Sequence, residues 1–122
     1  MDKKTLVLGA SSHDTRYSNM AVKMLTENNV PVLPVGRIVG QEVAGWTIQK
    51  DWDAALKDIH TISMYLSAIN QEQYVEKILE TMPERIIFNP GAENENLALR
   101  ADEAGIEVLE ACTLVMLRTG QF

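Results

Sequence analysis

The chain has 122 residues, 46% of them hydrophobic and 23% charged, with a net charge of −6. That length fits one domain with a proper core, and the acidic balance argues against nucleic acid, whose phosphates ask for a basic face. One cysteine, Cys112, excludes an internal disulfide and a cysteine-cluster metal site. With no apolar run of membrane-spanning length, and an N-terminus that leads straight into a strand pattern, the expectation is a cytoplasmic protein without membrane contact.

Thr5-Leu6-Val7-Leu8 is a short run of β-formers, the pattern of a strand buried on both faces. Gly9, Ala10, Ser11 and Ser12 follow. A helical pattern then covers 17–28, with Met20, Met24, Val22 and Leu25 expected on its inward side and Thr15 or Ser18 as its cap. Strand, small-residue turn and helix together place backbone N–H groups and serine hydroxyls at a helix N-terminus, a setting that stabilises a phosphate. Gly9 is the one glycine of this turn, which is therefore not Gly-x-Gly-x-x-Gly and is a weak nucleotide signal by itself.

A second strand is expected at 30–35, its two prolines marking poorly paired ends. The stretch 36–51 is irregular, punctuated by Gly36, Gly40 and Gly45 and anchored by Trp46, and reads as a loop with a small β-turn excursion. Asp51 or Asp53 caps a short helix that ends near Leu56. Strands at 61–66, 85–88 and 106–109 then alternate with helices at 71–82, capped by Asn70 and ended by Pro83, and at 94–104, stopped by Gly105. The tail 113–118 makes a final helical turn or two.

This alternation predicts an α/β chain: a single Rossmann-like three-layer domain over 1–122 with a five-stranded parallel sheet. Ligands of such sheets bind at the carboxyl ends of the strands, here the turns 9–16, 35–40, 66–70, 89–93 and 110–113.

Taken in order, these turns resemble one family. The pieces are Gly9-Ala10-Ser11 with Arg16 and Ser18, then Pro34-Val35, Val43-Ala44-Gly45-Trp46 and the short helix between Trp52 and Ile59. Asn89-Pro90-Gly91-Ala92-Glu93-Asn94 follows, and last Ala104-Gly105-Ile106-Glu107-Val108-Leu109 with Cys112. Together they resemble the small stand-alone coenzyme A-binding proteins, whose fold is that of the CoA-binding domain in the succinyl-CoA synthetase α subunit. Two steps depart from the pattern: Gly36-Arg37 follows Pro-Val where many relatives have Asn-Pro, and Asn89-Pro90 stands where an aromatic or Gln is common.

The resemblance implies coenzyme A or an acyl-CoA as the ligand. The candidate contacts in the first turn are Gly9, Ala10, Ser11, Ser12, Arg16 and Ser18, with the serines and the helix terminus on the pyrophosphate. Val35 and Arg37 follow at the end of the second strand, where an arginine suits a phosphate and an NAD site would prefer an acid. Leu66, Ser67, Asn89, Pro90 and Gly91 close two further strands and let a flat base or the pantetheine arm approach the backbone. The plain alternatives are solvated arginines and ordinary strand-ending turns. Cys112 reads first as a small buried hydrophobe and second as a thiolate that forms a mixed disulfide with CoA. His13 and His60 have no catalytic or metal partner at motif spacing, so binding without catalysis is the expected function. An NAD(P)- or nucleotide-sensing module, a component of an acyl-CoA enzyme, and a domain acting only through protein partners are the alternatives. A homodimer, through Trp46 or Val115-Met116-Leu117, stays open.

Overall fold

The structure, a computed structural model, describes residues 2–122. β1 (Thr5–Leu8) leads into α1 (Tyr17–Glu27) and β2 (Val32–Val35). A hairpin of β3 (Glu42–Val43) and β4 (Trp46–Thr47) follows, then a 3-10 turn (Ala54–Leu56) and β5 (Thr61–Met64). After β5 come α2 (Ala68–Gln71), a second 3-10 turn (Glu72–Tyr74) and α3 (Val75–Thr81). The chain closes with β6 (Arg85–Phe88), α4 (Glu95–Glu103), β7 (Glu107–Glu110) and α5 (Thr113–Arg118).

Five strands form one parallel sheet in the order β2-β1-β5-β6-β7. The Rossmann-like α/β class, with helices over both faces, is thus the observed one. Side chains alternate across the sheet, as the two-residue period of a strand requires. Leu6, Leu8, Ile62, Met64, Ile86 and Phe88 pack with Ile78 of α3 and Leu97 and Ala101 of α4. Val7 turns the other way, to Val22 and Leu25 of α1 and Ile48 beyond the hairpin. Each such fully buried Leu, Ile or Phe is worth about 1.5–3 kcal/mol of transfer free energy. α5 packs on α1, which closes the second face. Pro34, which has no N–H to give, sits in edge strand β2.

Four expectations need correction. The helix expected at 71–82 is three pieces, because Gln71 is drawn fully inside and the chain tightens into a 3-10 turn behind it. Its start is set by Ser67 at the N-cap of α2, so Asn70 is not the cap. α1 turns Ser18, Asn19, Ala21, Val22 and Leu25 inward and leaves Met20 at the surface, because a polar residue, Asn19, is taken inside to hold the preceding turn. The tertiary contact thus overrides the apolar periodicity. The strand expected at 61–66 ends at Met64, because the chain at Tyr65 and Leu66 already turns to pack on Gly9.

Candidate functional site

The chain runs from β1 outward to β2 and returns to β5 on the other side of β1, so strand order reverses between β1 and β5. In open α/β sheets the crevice above such a reversal is where ligands bind. Gly9, directly after β1, has φ +99°, and a Cβ there would lie 3.2–3.3 Å from the Leu66 side chain and the Tyr65–Leu66 backbone. The Gly9 and Ala10 N–H groups both donate to the Val35 carbonyl at 2.9 Å. Gly36 is tighter still: a Cβ would stand 2.2 Å from the Ala10 carbonyl oxygen. Three strand ends are therefore packed backbone to backbone. Val35, expected at the ligand, is instead a core side chain whose carbonyl is spent on this turn.

Beyond Ala10 the donors are not spent. The Ser11 hydroxyl accepts from the His13 N–H at 3.1 Å, and Ser12 Oγ donates to Gln41 Oε1. The Ser11 and Ser12 N–H groups have no partner among the described residues. The Ser11 carbonyl, by contrast, is held by Asn19 Nδ2 at 3.0 Å. Asn19 is 2% exposed, and its Oδ1 is buried without a partner. α1 then begins with Arg16 as an extended N-cap that makes no side-chain capping bond, and its first turn holds no acid. Neither Thr15 nor Ser18 caps it, and Ser18 lies buried inside the helix. Asn19 N–H donates to the Arg16 carbonyl at 3.1 Å, but the Tyr17 and Ser18 N–H groups have no partner among the described residues, so this end keeps its partial positive charge. Arg16 and Arg37 are both exposed, and neither forms an ion pair among the described residues.

On the far side of the crevice all but one of the buried polar groups are paired. Asn89, 2% exposed, donates through Nδ2 to Ser63 Oγ (3.0 Å) and the Met64 carbonyl (2.9 Å) and accepts from the Thr113 N–H (2.8 Å). Ser63 and Thr113 hydroxyls bond to each other at 2.8 Å. Gln71 Nε2 donates to the carbonyls of Leu66 (2.8 Å) and Ala92 (2.7 Å) and so ties the turns after β5 and β6 together. Ser67 accepts from Asn70 Nδ2 at 3.1 Å, and the Gly91 N–H donates to the Glu93 carboxylate at 3.0 Å. Leu66 is half-buried against the core, whereas Ser67, Pro90 and Gly91 are exposed.

A cleft of about 270 Å³ opens here, lined by Tyr17, Tyr65, Asn89, Pro90, Cys112 and Leu114. The Tyr65 hydroxyl is buried beside Ser63, Thr113 and Cys112 without a hydrogen-bond partner, and burial pushes its pKa up to about 12. Cys112 is half-buried at the N-cap of α5. A wider groove of about 500 Å³ runs along β2, but its lining carries Asp51, Asp53 and Asp58 against the one cation Lys4, the wrong balance for phosphates. His60 lies at the opposite end of the sheet, 3.0 Å from the Glu84 carboxylate, with its pKa lowered by burial. Among the described residues no His, Cys, Asp and Glu group is arranged to hold a metal, and no helix is long and apolar enough to cross a membrane.

The structure thus gathers Gly9, Ala10, Ser11, Ser12 and Arg16 at one turn, and Asn89 and Pro90 at the cleft. Arg37 stands apart, beyond edge strand β2. Gly36, Asn19, Tyr17, Tyr65 and Leu114 were missed by sequence reasoning. Gly36 alone left a signal there, as a glycine directly after a strand.

A family model described as CoA binding domain matches residues 3–118. The crystal structure of an uncharacterized protein is 40% identical and superposes over 100% of this chain and 99% of that one, with a TM-score of 0.94. The structure of cell-free ID.343 from Thermus thermophilus is 23% identical, with 99% and 91% covered and a TM-score of 0.82. S. aureus homoserine dehydrogenase is 15% identical, with 89% of this chain but 32% of that one covered and a TM-score of 0.61. The last two show the fold alone. No curated protein matches the chain.

Proposed function

The chain belongs to the CoA binding domain family, and from that premise we propose that it binds coenzyme A or an acyl-CoA and does not transform it. The observation that carries the reading is the open donor set at the start of α1, in a fold whose ligands sit at that place. The Ser11 and Ser12 N–H groups, the α1 terminus and Arg16 take the pyrophosphate. Arg37 takes the 3′-phosphate. The arm then passes the β5 and β6 turns, beside Leu66, Asn89 and Pro90.

Binding without chemistry is favoured by the lining of the cleft. Among the described residues Cys112 is its one thiol, and no histidine or carboxylate lines the cleft to act as a base for it. Arg37 favours CoA over NAD, because NAD sites place an acid after this strand to accept from the ribose hydroxyls.

The test is a thermal-shift panel with CoA, dephospho-CoA, NAD and ATP. A ligand at a hundred times its Kd stabilises by about 2.7 kcal/mol. CoA is expected to raise the melting temperature most, with a smaller rise for dephospho-CoA. A rise with NAD alone, or no rise with CoA, overturns the reading.

A further inference from the structure

We propose that the cleft between the β6 turn and α5 receives the acyl end of an acyl-CoA, and that it selects apolar, uncharged acyl groups over free CoA and over acyl groups ending in a carboxylate. This rests on the CoA reading and narrows it to a ligand class.

The placement follows from sheet order. The open donors and Arg37 sit above β1 and beyond β2, and the cleft extends from Tyr17 and Tyr65, beside the start of α1 and the end of β5, to the β6 turn and the start of α5. Three strand spacings of about 4.8 Å separate β2 from β6, about 14 Å. A molecule anchored by its phosphates at the first location reaches the second with its thiol-bearing arm. A volume of about 270 Å³ lies just below the range of sites that enclose a whole small molecule, so it suits one end of a ligand.

The selectivity follows from the lining. Tyr17, Tyr65, Pro90 and Leu114 present rings and alkyl surface. Both amide hydrogens of Asn89 are already used, on Ser63 and Met64. The Tyr65 hydroxyl is tucked beneath, against Ser63 and Thr113. Among the described residues no Lys, Arg or His lines the cleft. A carboxylate entering it would lose its water and meet no cationic side chain in the lining, whereas each methylene gains by leaving water.

The experiment is isothermal titration of the full chain with CoA, acetyl-CoA, butyryl-CoA and succinyl-CoA, repeated on Tyr17→Lys. Tyr17 is 69% exposed, so the substitution keeps the fold and puts a cation at the rim. Burial of a methylene tightens binding about fourfold, so butyryl-CoA is expected to bind on the order of tenfold tighter than acetyl-CoA. Succinyl-CoA is expected to bind at least about tenfold more weakly than butyryl-CoA, a ratio that narrows in Tyr17→Lys. Equal affinity for CoA and butyryl-CoA, tighter succinyl-CoA, or an unchanged ratio in the variant overturns the proposal and leaves the CoA reading standing. Absence of binding by all four overturns both.

Discussion

The two sides of the crevice are built on opposite principles. Above β6 and α5 almost every buried polar group is paired within the chain, through Asn89, Ser63, Thr113 and Gln71. Above β1 the backbone donors of Ser11 and Ser12 and the Arg16 guanidinium, and beyond β2 the Arg37 guanidinium, are left unpaired among the described residues. Polar residues of similar kind therefore do different work. On the closed side they fix the ends of β5 and β6 and the start of α5 against each other. On the open side they keep the partial charge of a helix terminus available to an anion, which in water costs little until the anion arrives. The contrast separates stability from affinity, and substitutions on each side test that separation.

Asn89→Ala is the hardest blow to the closed side. It leaves the Thr113 N–H without its acceptor and takes the amide donor from Ser63 Oγ and the Met64 carbonyl, which keep only the Thr113 hydroxyl and the backbone N–H of residue 89, in a water-excluded place. Unpaired buried groups cost about 1–3 kcal/mol each before relaxation, so a loss of about 3 kcal/mol in urea unfolding is expected. A loss below about 1 kcal/mol would show that the wall is not held by this side chain.

Arg16→Ala and Arg37→Ala should do the reverse. Both side chains are exposed and unpaired among the described residues, so unfolding free energy should stay within about 0.5 kcal/mol of the parent. CoA affinity, read by calorimetry, should fall about tenfold for each, the scale of a lost charge-assisted bond. Arg37→Ala should also abolish the preference for CoA over dephospho-CoA. An arginine that moves stability and not affinity would place it on the closed side of the comparison.

The sequence carried more of the closed scaffold than of the site. β1, β6 and α5 follow their expected bounds because short β-rich runs between turn residues, and a final helical run after a strand, have few other ways to fold. The five-stranded parallel sheet needed only the alternation of strands and helices, whereas the order of its strands was not among the expectations. What was not legible depends on distant contact. Asn19 faces inward because the Ser11 carbonyl, eight residues earlier, needs a donor. Gln71 breaks the expected helix because two turns from different strands need tying. Asn89 was legible as a turn residue at the ligand end, but its bonds to β5 and α5 were not, since they join residues 24 to 26 positions apart. The cleft draws on four separate stretches of chain, and no local pattern announces it.

The closed side has one flaw, and it offers the smallest and sharpest test. The Tyr65 hydroxyl is buried within reach of Ser63 and Thr113, which bond each other at 2.8 Å, and it makes no well-aligned hydrogen bond with either. A buried hydroxyl without a bond is a net cost, so Tyr65→Phe should stabilise the chain by about 1 kcal/mol, where most tyrosine truncations destabilise. The same burial holds the phenol neutral up to about pH 12, against about 10 in the unfolded chain. The unfolded state therefore releases its proton first. Tyr65 leaves stability unaffected by pH below about 10, and its contribution is lost as pH rises from about 10 to about 12. The difference between parent and Tyr65→Phe in urea midpoint should then widen over that interval, because the variant has no proton to lose there. A constant difference would mean that Tyr65 titrates alike in both states, and that this side of the crevice is wetter than its hydrogen bonds imply.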